Sequence, residues 1–259
     1  MNNNPIGIFD SGVGGLSIWK ELNQLLPNES TIYIADSINT PYGNKSKEKI
    51  TELSVRNTEL LLTHQCKLIV VACNTATTNS IRLLRKTYSV PFIGIEPATR
   101  SAAIKTKTGK IGILATKGTL ASELFLNTSQ QYRGDVEIIE AIGAGLVAII
   151  ESGNIDDAEP LLRKYLTPMV DRGVDNIVLG CTHYPFLKSV IEKIIPPSIT
   201  IIDSGLAVAK RTQHVLVEND LLNSSEKGSS HLFHSNGDTK VLTQFLEKIG
   251  VVNYSIEGF

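Results

Sequence analysis

Short apolar runs alternate with longer amphipathic stretches along the whole 259-residue chain. In one amphipathic stretch, residues 47–65, Ile50, Leu53, Leu60 and Leu61 recur on or near one face of a predicted helix. Strands that alternate with helices form βαβ units and a mainly parallel sheet. The apolar runs predict nine strands, at residues 6–9, 31–35, 68–72, 92–95, 110–114, 136–140, 176–180, 200–202 and 231–234.

Two pairs of segments resemble each other at nearly the same spacing. The segment IGIFD begins at Ile6, and the similar segment IGILA begins at Ile111, 105 residues later. The segment IVVAC ends at Cys73, and IVLGC ends at Cys181, 108 residues later. This spacing favours a duplicated α/β half. Chance similarity between apolar strands is the alternative.

The two similar halves predict an α/β fold with two pseudo-symmetric domains, mainly parallel sheets and an active site in the cleft between the domains. We expect residues 1–97 and 207–259 to form the N-terminal domain, which the C-terminal segment completes. We expect residues 98–206 to form the second domain. The polar segment NSSEKGSS at residues 223–230 predicts a surface loop.

Composition is ordinary for a soluble protein, with 42% hydrophobic and 20% charged residues. The 25 basic and 26 acidic residues give a formal net charge of -1. This balance gives no electrostatic reason to expect nucleic acid or an anionic membrane as a partner. No apolar run approaches the roughly 18 residues of a membrane helix. The N-terminus does not resemble a signal peptide, so we expect a cytoplasmic protein.

The chain contains three cysteines, Cys66, Cys73 and Cys181. An odd number without an export signal argues against a disulfide framework. The absence of a C-x-x-C pair argues against a structural zinc site, and we expect no metal. Cys66 closes an apolar helical pattern, so we interpret it as a small buried hydrophobic residue.

Acidic or thiol side chains come directly after five predicted strands, at Asp10, Asp36, Cys73, Cys181 and Asp203. Ligands of open parallel sheets bind outside the carboxyl ends of the strands. Two facing halves would place the two cysteines on opposite sides of one cleft. Racemisation needs an acid and a base on opposite faces of one carbon, and two thiols can supply them. Helix starts after both cysteines would favour thiolates and bind carboxylates.

Each thiol needs a partner for proton transfer. Asp10 is the candidate on the side of Cys73. His183 lies two residues after Cys181, and its ordinary pKa is near neutrality. Glu151, which ends an apolar run, is a further candidate acid. The alternatives are that His183 only forms a structural hydrogen bond and that Glu151 is a solvated charge at a helix end.

The segment DSGVGG at residues 10–15 partly imitates the glycine-rich turn of dinucleotide-binding proteins, and Asp36 imitates their ribose-binding acid. Two features count against that interpretation. Ser17 occupies the place of the third glycine, and the charge of Asp10 would repel a pyrophosphate. Asp10 and Ser11 suit an amino group and a carboxylate better. A tight strand-to-helix turn also accounts for the glycines.

Five segments together resemble the bacterial glutamate racemases of the aspartate/glutamate racemase superfamily. They follow the family's order and span nearly the whole chain: FDSGVGGL (9–16), PYG (41–43), CNTA (73–76), GCTHYP (180–185) and DSG (203–205). His183 is similar to the residue that glutamate racemases carry after the second cysteine, where aspartate racemases tend to carry an acid.

The resemblance implies interconversion of L-glutamate and D-glutamate without pyridoxal phosphate, metal or nucleotide. It implies that Cys73 acts on the D-isomer and Cys181 on the L-isomer. Asp10, Glu151 and His183 would assist them. The implied substrate contacts come from Asp10, Ser11, Tyr42, Gly43, Asn74, Thr75, Thr182 and His183.

The resemblance also implies that the product, D-glutamate, feeds peptidoglycan synthesis and so cell wall biogenesis and cell shape. We expect a homodimer with glutamate as its small-molecule partner. Because the first predicted strand begins at Ile6, we expect the N-terminal segment through which a cell-wall precursor activates some relatives to be absent. Two alternatives remain open: an aspartate racemase or related isomerase, and a non-catalytic sensor of an amino acid or nucleotide.

Overall fold

The computed structural model describes residues 3–132, 134–223 and 228–259. Strands and helices alternate through these residues. The strands are β1 (Ile6–Asp10), β2 (Thr31–Ala35), β3 (Leu68–Val71), β4 (Phe92–Gly94), β5 (Lys110–Ala115), β6 (Glu137–Ile142), β7 (Asn176–Gly180), β8 (Thr200–Ile202), β9 (His231–Ser235) and β10 (Tyr254–Gly258).

The helices occupy the connections between the strands. The α-helices are α1 (Leu16–Leu25), α2 (Lys47–Thr63), α3 (Asn74–Thr87), α4 (Thr99–Lys105), α5 (Lys117–Leu120), α6 (Glu123–Gln130), α7 (Leu146–Glu151), α8 (Glu159–Asp171), α9 (Lys188–Ile191), α10 (Gly205–Glu218) and α11 (Thr239–Lys248). Short 3-10 turns occur at Ser37–Asn39, Tyr42–Asn44, Ile155–Ala158 and Tyr184–Leu187.

Two parallel sheets form the centre of the fold, and their strand orders correspond. The first sheet has the order β10-β9-β2-β1-β3-β4, and the second has the order β6-β5-β7-β8. All of their pairings are parallel. The order β2-β1-β3-β4 is therefore repeated as β6-β5-β7-β8, while β9 and β10 extend the first sheet. The predicted α/β fold with two similar halves is confirmed.

The apolar pattern places the nine predicted strands within two residues of their observed ends. The helix predicted at residues 47–65 ends slightly earlier, at Thr63. Strand β10 is not predicted, because its polar residues Ser255 and Glu257 interrupt the apolar character and most of it is exposed. Pairing with β9 along its whole length supplies the hydrogen bonds that define it as a strand.

Both faces of the first sheet are covered by apolar side chains. Ile6 and Ile8 of β1 belong to one buried cluster, whereas Phe9 of the same strand belongs to another. Successive side chains of a strand point to opposite faces, so β1 is buried on both sides. Such burial accounts for the uninterrupted apolar runs that marked the strands in the sequence.

The apolar context of Cys66 predicts a position at the end of a helix. In the structure, Cys66 lies in the turn between α2 and β3. Its thiol is buried, and a Cβ atom at Gly7 would stand 3.0 Å from its Sγ. Burial raises the pKa of Cys66 to about 12. The interpretation of Cys66 as a buried hydrophobic residue is confirmed.

The first sheet takes strands from both ends of the chain, since β9 and β10 join β1–β4. The domain boundaries after residues 97 and 206 stay a prediction. Of the predicted surface loop at 223–230, residues 224–227 lie outside the described residues. Among the residues that are described, we find no helix with the length and apolar character needed to cross a bilayer.

Candidate active site

Cys73 and Cys181 follow equivalent strands of the two sheets. Cys73 comes after β3 and is the N-cap of α3, and Cys181 comes directly after β7. Strands β3 and β7 occupy the same position in the repeated strand order. Both cysteines line a single narrow cavity at the carboxyl ends of the strands. The duplicated halves therefore bring the two thiols to one site from two directions.

The segments after the two cysteines differ in length. A fourteen-residue helix follows Cys73. After Cys181, His183 is at the cap and Pro185 is in the first turn, as expected, but the chain forms a four-residue 3-10 turn and then the four-residue helix α9. A full helix dipole is therefore available to Cys73 and not to Cys181. The expectation of matched helix starts is wrong for the second cysteine.

Most of the predicted site residues line the cavity together. Asp10 and Glu151 are not among the lining residues and lie behind them. Three lining residues, Pro41, Thr116 and Val147, were not predicted as site residues. The lining residues are Ser11, Pro41, Tyr42, Gly43, Cys73, Asn74, Thr75, Thr116, Val147, Cys181, Thr182 and His183.

Thr116 follows β5 just as Ser11 follows β1. The spacing between Ile6 and Ile111 also separates Ser11 from Thr116, so the repeat contained a signal for this residue. Thr116 Oγ1 lies 2.9 Å from Thr75 Oγ1. Pro41 belongs to a segment that carried the family resemblance. No sequence signal pointed to Val147, which lies near the start of α7.

The thiol of Cys73 donates a long hydrogen bond to Ser11 Oγ, at 3.8 Å. Burial raises the pKa of Cys73 well above its ordinary value, and the nearby charge of Asp10 raises it further. The helix start was expected to favour the thiolate. Its N–H groups do act in that direction, but desolvation of the buried thiol outweighs them.

On the other side of the cavity, a hydrogen-bonded chain begins at Cys181. Its Sγ lies 3.7 Å from Nδ1 of His183, and Nε2 of His183 lies 2.5 Å from Oε1 of Glu151. Burial alone would lower the pKa of His183, but hydrogen bonds to Cys181 and Glu151 outweigh it and raise this pKa well above its ordinary value. Glu151 is therefore a partner of His183 and not a solvated helix-end charge.

The glycine-rich segment after β1 packs directly on this chain. A Cβ atom at Gly12 would stand 1.9 Å from Oε1 of Glu151, and one at Gly14 would stand 2.1 Å from Nδ1 of His183. The backbone N–H of Val13 donates to Oε1 of Glu151 at 2.8 Å. The glycines thus permit the close approach of the His183–Glu151 pair.

Asp10 is fully buried beneath this segment, and its Oδ2 accepts a hydrogen bond from the N–H of Gly15 at 2.8 Å. Burial raises the pKa of Asp10, whereas the nearby His183 and the Gly15 N–H oppose the increase. Its Oδ1 has no hydrogen-bond partner among the described residues. Asp10 is thus a buried carboxyl group with an unused acceptor oxygen, and its charge raises the pKa of Cys73.

Asn74 and Tyr42 both line the cavity, but the side chain of Asn74 has no hydrogen-bond partner among the described residues, whereas the hydroxyl of Tyr42 has two. Neither Nδ2 nor Oδ1 of the buried Asn74 side chain has a partner within the described part of the chain. Buried polar groups are rarely left unpaired, so Asn74 is available to a ligand. The hydroxyl of Tyr42 donates to Oδ2 of Asp36 at 2.5 Å and accepts from Asn57 at 3.1 Å. This network holds the ring of Tyr42 in place.

Besides Asp10, two more of the five strand-end residues, Asp36 and Asp203, do not line the cavity. Asp36 lies behind Tyr42, where its Oδ1 also accepts a hydrogen bond from Arg56 at 2.6 Å. Asp203 is exposed, and its Oδ1 accepts from the N–H of Gly205 at 2.9 Å at the start of α10. Of the five strand-end residues, Cys73 and Cys181 line the cavity, Asp10 lies behind the lining residues, and Asp36 and Asp203 point elsewhere.

The chain is similar to known amino-acid racemases. The sequence model for "Asp/Glu/Hydantoin racemase" matches residues 6–212. The glutamate racemase of Herpetosiphon aurantiacus is 45% identical over 240 residues, which cover 92% of this chain and 94% of that protein.

Solved structures of glutamate racemases also share the fold. The structure from Bacillus anthracis has a TM-score of 0.89 and 31% identity and covers 100% of this chain and 98% of its own. The structure from Francisella tularensis in complex with D-glutamate has a TM-score of 0.86 and 28% identity, with 100% and 98% coverage.

Proposed function

Because the chain belongs to the Asp/Glu/hydantoin racemase family, we propose that it interconverts L-glutamate and D-glutamate with Cys73 and Cys181 as the two acid/base catalysts. The observation that carries this proposal is the shared cavity of the two thiols, which come from equivalent strands of two sheets. Racemisation requires proton removal from one face of the α-carbon and proton delivery to the other. Two thiols that enter from opposite halves meet this requirement.

In the direction from L to D, the thiolate of Cys181 removes the α-proton and becomes a thiol. The electron pair of the broken C–H bond passes to the α-carbon and its carboxylate. The thiol of Cys73 then gives its proton to the opposite face and becomes a thiolate. The reaction from D to L runs through the same steps in reverse, with Cys73 as the base.

Three buried groups assist the thiols in this proposal. A protonated His183 donates toward Cys181 Sγ and stabilises its thiolate, while Glu151 holds the imidazolium. On the other side, the raised pKa of Cys73 keeps it protonated and ready to donate. Asp10, whose pKa is also raised by burial, accepts or returns a proton when Cys73 changes its ionisation.

Substrate contacts come from the residues that line the cavity. The free amide of Asn74 is suited to the amino and carboxylate groups of an amino acid. The hydroxyls of Ser11, Thr75 and Thr182 add donors and acceptors, and Tyr42 with Gly43 forms one wall. Asp10 and His183 complete the proposed set, with Asp10 placed behind Ser11.

We also propose a cytoplasmic homodimer that supplies D-glutamate for peptidoglycan synthesis. Exposed apolar side chains, including Ile38 and Ile104, provide surface that an interface would bury. We propose domains of residues 1–97 with 207–259 and of residues 98–206, a division supported by the strand composition of the two sheets. Light scattering after size-exclusion chromatography measures the oligomeric state, and a monomer would contradict the dimer.

The main test follows the optical activity of L-glutamate with purified protein and no added cofactor. We expect the circular dichroism signal to decay to zero, with solvent deuterium incorporated at the α-carbon. Cys73→Ser and Cys181→Ser should each abolish this decay, because a serine hydroxyl is far less acidic than a thiol. Cys66→Ser is the matched control and should remain active, since Cys66 lies away from the cavity.

Other outcomes separate the alternatives. Racemisation of aspartate but not of glutamate would assign the chain to an aspartate racemase. No turnover of either amino acid, together with binding of one of them or of a nucleotide, would identify a sensor. Full activity in either the Cys73 or the Cys181 variant would overturn the two-thiol mechanism.

A further inference from the structure

Ser17 connects the two halves of the molecule beside the second cysteine. It lies in the first turn of α1, at the place where a dinucleotide-binding turn would carry its third glycine. Its hydroxyl lies 2.8 Å from the carbonyl oxygen of Gly14 and 2.8 Å from the carbonyl oxygen of Thr182. Thr182 stands between Cys181 and His183, so this hydroxyl contacts the backbone of the segment that carries both side chains.

The carbonyl of Thr182 needs a donor from outside its own segment. In a 3-10 turn, the carbonyl of a residue accepts a hydrogen bond from the N–H three residues later. Three residues after Thr182 is Pro185, which has no N–H. The next residue, Phe186, donates to the carbonyl of His183 instead. Thr182 is almost fully buried, and a buried carbonyl without a donor costs free energy. The Ser17 hydroxyl supplies the hydrogen bond that Pro185 removes.

We propose that Ser17 is a positioning residue that holds the Cys181–His183 segment in register with the substrate across the interface between the two halves. This inference rests on the proposed function of the cavity. Two further contacts come from the same side: the backbone at Gly14 abuts the ring of His183, and Val13 donates to Glu151, the hydrogen-bond partner of His183. Ser17 is the member of this group that bonds to the backbone next to Cys181.

Loss of this hydrogen bond should slow the proton transfer at Cys181 more than that at Cys73, because proton transfer is sensitive to the placement of the donor and acceptor. L- and D-glutamate have equal free energies, so kcat/KM must be the same in both directions and cannot reveal which thiol is impaired. Kinetic isotope effects can. Deuterium at the α-carbon of L-glutamate reports on Cys181, and deuterium in D-glutamate reports on Cys73.

The experiment compares Ser17→Ala, Ser17→Thr and the wild-type chain. For Ser17→Ala we expect kcat/KM to fall roughly tenfold, the effect of one lost buried hydrogen bond. The isotope effect on kcat/KM should rise with α-deuterated L-glutamate and fall with α-deuterated D-glutamate. Ser17→Thr keeps the hydroxyl and should restore the wild-type values.

Ser54→Ala is the matched control, because Ser54 is also a buried helical serine but bonds to Ile50 and Ser80, away from the cavity. It should leave both isotope effects unchanged. An unchanged kcat/KM in Ser17→Ala overturns the proposal, and so do isotope effects that change in the same direction for the two isomers, since a general loss of structure would produce that result.

A second measurement stands apart from turnover. Alkylation of the folded protein with iodoacetamide, followed by peptide mass spectrometry, gives separate rates for Cys181 and Cys73. In Ser17→Ala we expect faster alkylation of Cys181 with an unchanged rate at Cys73, and equal rates in variant and wild type would contradict the positioning role. Failure of the wild-type chain to racemise glutamate would refute the proposed function. The alkylation rates would still test whether the hydrogen bond from Ser17 to Thr182 positions Cys181.

Discussion

The Nε2 atom of His183 lies 2.5 Å from Oε1 of Glu151, although 32 residues separate them in the chain. Glu151 ends α7, and His183 precedes the 3-10 turn after β7. The same carboxylate oxygen accepts the N–H of Val13 from the other half of the molecule. One oxygen atom therefore joins the glycine-rich segment to the histidine beside Cys181.

Glu151→Gln should lower kcat/KM by roughly 10- to 100-fold, because a hydrogen bond to a charged group contributes about 1.5–3 kcal/mol. The amide can still accept hydrogen bonds, but it no longer favours the imidazolium, so the pKa of His183 should fall. Titration of the histidine by NMR checks the pKa. Glu159→Gln, which changes an exposed carboxylate paired with Arg163, is the control and should preserve activity.

The close approach of Gly14 to His183 predicts the effect of a single methyl group. Gly14→Ala would place its Cβ atom 2.1 Å from Nδ1 of His183, so the ring must move. A displacement of about 1 Å at a catalytic group can lower activity about a hundredfold, and we expect a loss of this size in kcat/KM. Gly134→Ala provides the comparison, since no atom of the described residues, apart from its chain neighbours, lies within 4 Å of its Cβ position. Equal activity of the two variants would contradict the prediction.

The burial of Asp10 predicts that removal of its charge increases the stability of the protein and lowers its activity. Its pKa is raised in the folded state, so the stability contributed by its protonation is fully present below the unfolded pKa and is lost as the pH rises through the folded pKa. At pH 7, which is above the unfolded pKa, burial of this carboxyl group therefore destabilises the fold. Asp10→Asn keeps an acceptor for Gly15 and should increase the free energy of unfolding at pH 7, as measured by urea denaturation.

The same variant should lose activity, on the order of a hundredfold in kcat/KM, because it removes a proton acceptor from the side of Cys73. Its gain in stability should shrink as the pH falls towards the unfolded pKa. A variant that is both less stable at pH 7 and fully active would refute the prediction.

The raised pKa of Cys73 predicts the pH dependence of the reaction. Burial and the charge of Asp10 keep this thiol protonated near neutrality, so the fraction of thiolate increases with pH. We expect kcat/KM for D-glutamate to rise between pH 6 and 8.5, by up to about tenfold per pH unit. Initial rates at low substrate concentration, in buffers of constant ionic strength, measure this dependence, and a decline over that interval would contradict it.

The repeat in the sequence accounts for part of the site. The similar segments that end at Cys73 and Cys181 predicted equivalent strands, and both strands are observed. The same repeat relates Ser11 to Thr116, but the two segments differ in sequence at this point, DSGVGG at residues 10–15 and ATKGTL at residues 115–120, so the equivalence was not evident from residue type. Asp36 shows the opposite case, since its position after β2 indicated the cleft while its hydrogen bonds direct it to Tyr42 and Arg56.

By itself, the sequence determined the strands and the parallel α/β fold through its apolar pattern, and the two similar halves through its repeated segments, because both patterns are present in the linear order of the residues. The tertiary structure decided that Glu151 meets His183, that Gly12 and Gly14 pack against this pair, and that Asp203 faces solvent. It also decided the ionisation of Cys73, since a pKa depends on desolvation and on charges brought near by folding, and neither can be obtained from the order of residues along the chain.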